Sequence, residues 1–157
     1  MKKFVYAIMM AVLPVLAFTL ASCDDDDDLP NVSISLDVQN GTFVDGTIYV
    51  VQGDTLNVSG IVIKNNEEGK AAAVTNVKYF LDGFFIGESI FSPFPAYNLT
   101  DAETPEGNYT LGVTCTVLAV DKSIAQAVLN YPFKVVASAD DIPTTGTPSD
   151  TRTVQLK

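Results

Sequence analysis

The run from Tyr109 to Val117 constrains this chain most: Tyr109, Leu111, Val113, Cys115 and Val117 take every second place, and Thr110, Gly112, Thr114 and Thr116 fill the places between. Side chains of an extended strand point alternately to opposite faces, so this spacing makes one apolar and one polar face, a sorting that no helix can perform. Ala125, Ala127, Leu129, Tyr131, Phe133 and Val135 repeat the pattern, as do Val32, Ile34, Leu36 and Val38. Each such strand has one face to hide, and a second sheet is the natural cover. Pro132 lies on the other face of its run and has no N–H to give a ladder, so that strand is expected at an edge or bulged there.

Shorter runs fill in the rest. Thr47 to Val51 is rich in β-formers, and Leu56 and Val58 keep one parity while Ile61 and Ile63 keep the other, which places a bulge at Gly60. Val77, Tyr79 and Leu81 alternate up to Asp82-Gly83, and Phe84 to Gly87 follows as the return of a hairpin. Tyr97 to Leu99 is a further short strand, and 65–70 and 101–107 are polar loops. About seven strands without a helix after residue 22 make an all-β chain, a single antiparallel sandwich over 31–137. From Ser138 the composition turns to Ser, Asp, Thr and Pro. Residues 138–157 are expected as a flexible tail, with pairing of Thr153 to Leu156 as a stray strand the alternative.

The beginning of the chain carries an address. Lys2 and Lys3 precede an apolar run from Phe4 to Leu20, interrupted by Pro14 and Thr19, the pattern of an export signal. Leu20-Ala21-Ser22-Cys23 then resembles the bacterial lipobox, which implies removal of 1–22 and lipidation of Cys23. An uncleaved span is the alternative, because the run approaches the ~20 residues a bilayer requires. Asp24 to Asp28 form, within 23–30, a charged spacer that repels itself into an extended state. That run resembles the acidic tags of surface-exported lipoproteins in some Gram-negative bacteria. A membrane partner through the lipid anchor is therefore expected, at the outer membrane with the domain on the cell surface. Periplasmic-facing placement and inner-membrane retention are the other two options. Loss of the two leader lysines makes the formal charge of −10 two units more negative, which argues against nucleic acid as a partner.

Catalytic chemistry has little to work with. The chain contains no histidine, which removes the usual triad base, the commonest zinc ligand and the ordinary proton shuttle near neutral pH. Asp101, Glu103 and Glu106 lie close together in a loop and are the candidates for a carboxylate pair or a Ca²⁺ site. No enzyme and no cofactor are expected. Cys115 is the one cysteine left after lipidation of Cys23, so no internal disulfide forms, and its apolar face makes it an inert thiol. Phe84, Phe85, Phe91, Phe94 and Tyr97 are the candidate ligand-binding residues. Alternation cannot bury both Phe84 and Phe85, so a ring faces outward and offers itself to a protein partner or a glycan; capping of the sandwich's open end is the competing role for this cluster.

Two stretches resemble the bacterial immunoglobulin-like domains of surface proteins. Val77-Lys78-Tyr79-Phe80-Leu81-Asp82-Gly83 with Ile86-Gly87 matches their strand, Asp-Gly turn and apolar-Gly pair. Glu106-Gly107-Asn108-Tyr109-Thr110-Leu111 matches their entry into the penultimate strand. The resemblance implies an immunoglobulin-like sandwich and a Tyr109 hydroxyl bonded back to the preceding corner. It also implies adhesion, protein interaction or spacing, with a glycan-binding accessory of a polysaccharide-uptake system as the alternative. The chain lacks the tryptophan and paired cysteines of antibody-like domains.

Overall fold

The computed structural model describes residues 31–66, 71–119, 124–146 and 150–156. The leader, Cys23 and the aspartate run lie outside them. Among the described residues nine strands appear in chain order: β1 Asn31–Gln39, β2 Thr42–Val44, β3 Thr47–Val51, β4 Asn57–Asn65, β5 Ala72–Leu81, β6 Phe84–Ser89, β7 Gly107–Ala119, β8 Ile124–Val136 and β9 Thr151–Gln155. One sheet has the order β4-β1-β9 and the other β2-β3-β8-β7-β5-β6. Their inner faces supply a single core. Val32, Ile34 and Leu36 of β1 and Val58 and Ile61 of β4 are buried on one side, and Tyr79, Leu111, Val113, Cys115, Val117, Tyr131 and Phe133 on the other.

The alternation of β7 and β8 is realised along their whole paired length, from Gly107 opposite Val135 to Leu118 opposite Ile124. Burial follows it strictly in β8, where Ala125 to Val135 are buried at odd positions and the even positions face out. The expectation for Pro132 is corrected: β8 is neither an edge strand nor bulged there, since it lies between β3 and β7 and its ladder to β7 runs unbroken through Thr110 opposite Pro132. The parallel ladder from β3 begins at Ile48 opposite Phe133, so Pro132 lies one residue short of it and no strand seeks its missing N–H on that side.

Turn chemistry sets two hairpins. Asp45 and Gly46 have φ of 48° and 76°, and Asp82 and Gly83 have φ of 47° and 84°, the left-handed pairs that two-residue hairpins with the right twist require. The Asp82 turn is also tied to β7: its N–H donates to Thr110 O at 2.9 Å, and its Oδ1 accepts from Thr110 N at 2.7 Å. The change of parity in β4 is a bulge, since Asp37 pairs Gly60 and Val38 pairs Val58, leaving Ser59 over. Gly60 has a second use. A Cβ there would stand 3.2 Å from Pro93 Cβ, so glycine lets residues 93–99 lie along β4 without displacement, through Ile61 N to Pro93 O, Val58 N to Ala96 O and Leu99 N to Leu56 O.

Tyr109 donates to Pro105 O at 2.8 Å and stacks on Phe133 with ring centroids 5.0 Å apart. This is the tyrosine corner of an immunoglobulin-like sandwich, and that resemblance holds at the level of fold.

Four further local expectations are corrected. Tyr97 to Leu99 is not a strand; Asn98 takes a positive φ of 57°, which breaks the extended run, and a single bridge of Ala96 to Val58 stands in its place. β5 begins at Ala72 rather than Val77, because a bulge at Thr75 shifts the parity and hides the alternation of Ala72 and Val74. One ladder, β3 with β8, is parallel, since the chain changes sheet after β1 and the β2–β3 hairpin delivers it to the edge of β8 in that sense.

The fourth correction concerns the tail. Ser138 N and Oγ both donate to Asp141 Oδ2 around a 3-10 turn at Ala139–Asp141. Gly146 packs on Val44 and Asp45, and β9 then pairs antiparallel with β1 from Thr151 opposite Ser35 to Gln155 opposite Asn31. Leu156 is buried in the core. Arg152 Nη2 donates to Gly46 O at 2.8 Å, and its guanidinium lies 4.7 Å from the centre of the Tyr131 ring. The pairing held as the alternative for Thr153 to Leu156 is thus the one realised, by a strand of low hydrophobicity anchored by one leucine, one valine and one arginine. Truncation after Asp150 should lower the urea midpoint, and Leu156→Ala alone should cost about 2 kcal/mol in equilibrium unfolding.

Candidate functional site

Among the described residues β6 is an edge strand, paired only with β5. Its ladder slips at Ile86, because Tyr79 opposes Gly87 while Phe80 opposes Phe85. Phe85, paired with Phe80, shares its outer face, and the two rings meet edge-on at a centroid distance of 5.8 Å. The residue opposite Phe80 on β7 is Gly112, whose added Cβ would stand 3.2 Å from Phe80 Cβ, so its missing side chain leaves room for Phe80. Phe84, opposite Leu81, belongs to the other face and is nonetheless exposed.

The loop after β6 returns beside the same edge. Phe94 N donates to Phe91 O at 2.7 Å, closing a turn that contains the cis Ser92-Pro93 bond. Phe94 has φ of 63°, a conformation uncommon for a bulky residue, and it is buried. Its carbonyl accepts from the hydroxyl of Tyr79, a core side chain. The loop is thereby fastened at its middle. Leu99 and Thr100 fasten its far end: Thr100 Oγ1 accepts from Leu56 N at 2.8 Å and donates to Asp54 O at 3.0 Å.

Of the five aromatic residues singled out in the sequence, the structure brings four to the surface. Phe84 is 77% exposed, Phe85 59%, Phe91 76% and Tyr97 67%, whereas Phe94 is 6% exposed. The ligand-binding role expected for Phe94 is therefore corrected: it plugs the open end of the core, as the capping role requires. Ile86 and Ile90, which were not singled out, are exposed between the rings. The bulge is what exposes Ile86, and alternation alone does not reveal it.

Between β6 and residues 95–99 runs a cleft of about 360 Å³. Leu81, Ile86, Gly87, Ala96, Tyr97 and Asn98 are among its walls, and no lysine or arginine lines it. Gly87 forms an open stretch of wall, with no atom within 4 Å of where a Cβ would stand. Glu88 borders the cleft, but its carboxylate accepts from Asn76 Nδ2, beside Thr116 Oγ1 on the polar face of the sheet.

The acidic loop is occupied with its own backbone. Asp101 Oδ1 accepts from Glu103 N at 3.0 Å and from Thr104 Oγ1 at 2.9 Å. Asp101, Glu103 and Glu106 are all exposed, and among the described residues no group of three acids, cysteines or histidines is placed to hold a metal ion. The structure does not bring these three residues together as a ligand set. Burial pushes the Cys115 thiol up from 9.0 to about 12, and burial likewise raises the phenols of Tyr79 and Tyr131.

No family model matches the chain, and no curated protein matches it. Among solved structures, the fibronectin(III)-like modules of Clostridium thermocellum CbhA match with a TM-score of 0.38 and 15% identity, over 62% of this chain and 94% of that one.

Two outcomes follow from the site's construction. Tyr79→Phe removes the hydroxyl from a buried carbonyl, and should cost about 1–3 kcal/mol in urea unfolding while the sheets persist by circular dichroism. Cys115, Tyr79 and Tyr131 all ionise more readily in the unfolded chain, which binds fewer protons once the pH exceeds the ordinary thiol value. Their contribution to stability is whole below pH 9.0 and declines as pH rises toward about 12. Urea midpoints measured from pH 8 upward should fall, and Cys115→Ala should flatten the first part of the decline.

Proposed function

We propose that this chain is a non-catalytic binding module, tethered to the outer membrane through a lipidated Cys23 and displayed on the cell surface for adhesion or protein interaction. One observation carries the reading: Phe84, Phe85, Ile86, Ile90, Phe91 and Tyr97 are all exposed along one free sheet edge and the loop fastened beside it. Exposing so many large apolar groups together costs a lone protein solubility, and such patches mark contact surfaces. Edge strands are ordinarily blunted by charge, proline or a bulge; β6 has Glu88 and the bulge at Ile86, yet its large apolar side chains still face water. A sequence that spends an Asp-Gly turn, a bulge and a pinned loop on presenting these rings is organised around contact.

The address in the leader supports the cellular half of the proposal, and the want of histidine supports the non-catalytic half. The cleft behind Tyr97, which no lysine or arginine lines, favours a second reading, a glycan-binding accessory lipoprotein of a polysaccharide-uptake system. In either case the working surface is the β6 edge.

In a Gram-negative host, Cys23→Ala should leave the chain unacylated and free of the membrane fraction. Proteinase added to intact cells should remove the domain of the parent protein. The double variant Phe84→Ser/Phe85→Ser alters only exposed side chains. It should keep its urea midpoint and weaken attachment of displaying cells to their target surface about tenfold or more, as loss of aromatic anchors does. Protection from proteinase until the outer membrane is permeabilised, or unchanged attachment by the double variant, overturns the reading.

A further inference from the structure

We infer that the cleft between β6 and residues 95–99 is a subsite for one neutral sugar ring of a glycan chain. The inference rests on the proposed role of the β6 edge as a contact surface and names the ligand class that the cleft admits. At about 360 Å³ the cleft has the size of a small-ligand site. Its walls combine the two kinds of group a pyranose needs. The Tyr97 ring, exposed at the rim, offers an aromatic face for the C–H side of the sugar. Asn98 offers a side-chain amide with one acceptor and two donors, and among the described residues that amide has no hydrogen-bond partner, since only the backbone N–H is used, toward Asn57 Oδ1.

Charge narrows the class further. No basic side chain lines the cleft, and the one acid at its border turns its carboxylate away to Asn76. An anionic sugar therefore finds no counter-charge in a chain whose net charge is already −10. A neutral ring meets no such penalty. An extended peptide would also find β6 open, but it would lie on the strand's outer edge and leave the amide of Asn98 unused. The aromatic row of Phe84, Phe85 and Phe91 then provides apolar surface for the units that flank the bound ring.

Two substitutions separate the cleft from the fold. Gly87 has space for a side chain and no positive φ, so Gly87→Val fills the cleft from an edge strand without strain. Asn98 has φ of 57°, so Asn98→Gly keeps the backbone at ease while deleting the amide. The full lipidated chain, in a detergent without a sugar headgroup, would be titrated calorimetrically with maltohexaose, cellohexaose and xylohexaose, and with polygalacturonate as the anionic control.

Binding of at least one neutral oligosaccharide is expected, abolished by Gly87→Val and weakened about tenfold by Asn98→Gly, with circular dichroism and urea midpoints unchanged for both variants. The subsite is overturned if none of the three neutral sugars binds, if Gly87→Val binds as the parent does, or if polygalacturonate binds as tightly. Should any of these results coincide with attachment that still depends on Phe84 and Phe85, the contact-surface reading stands and the sugar subsite alone falls. Should attachment also be indifferent to those rings, both fall.

Discussion

The burial of one face of β7 is the constraint on which the rest of this molecule depends. Leu111, Val113, Cys115 and Val117 are fully withdrawn from water. β7 pairs with β8 on one side and with β5 on the other, so it organises the larger sheet. Among the described residues the sole cysteine is Cys115, which is free. Cohesion rests on apolar area and packing, with backbone ladders satisfying the polar groups that burial would otherwise strand. The edges can then tolerate irregularity. The bulges at Ser59, Thr75 and Ile86 all lie outside the β7–β8 ladder, which is unbroken.

How legible this was depends on where each residue stands relative to that face. The centre reads directly, because a half-buried strand without bulges writes its environment as strict alternation; Tyr109 to Val117 and Ala125 to Val135 need nothing else. Hairpins at Asp82-Gly83 read equally well, since a left-handed backbone pair demands particular residues. At the edges the rule fails for identifiable reasons. Thr75 interrupts the parity of β5, and the first half of that strand disappears from view. β9 draws on Arg152 stacked over Tyr131 and a single buried Leu156, a kind of attachment that periodicity does not register.

The candidate site was legible as a composition and not as an arrangement. Five aromatic residues close in sequence announce a surface or a plug, and alternation decides only that Phe84 and Phe85 cannot both be inside. What separates Phe94, buried, from Phe91 and Tyr97, exposed, is a hydroxyl from Tyr79 across the core and a turn at residues 91–94. That pairing is long-range in sequence, and nothing local predicts it. The cleft is likewise a product of tertiary placement, created where Gly60 lets residues 93–99 approach β4 and where Gly87 withholds a side chain from β6.

The antiparallel pairing of β1 with β4 has a mechanical implication. Asn31 stands at one end of this ladder, beside Asn65 and Asn66, and Gln39 stands opposite Asn57 at the other. Residues 96–99 join β4 near that second end, at Val58 and Leu56. A pull entering through the segment ahead of Asn31 and resisted by a body gripping Tyr97 would run lengthwise along the two strands. Their cross-links would be sheared together instead of unzipped one at a time, so the geometry suits a module that must stay folded while its two ends are drawn apart.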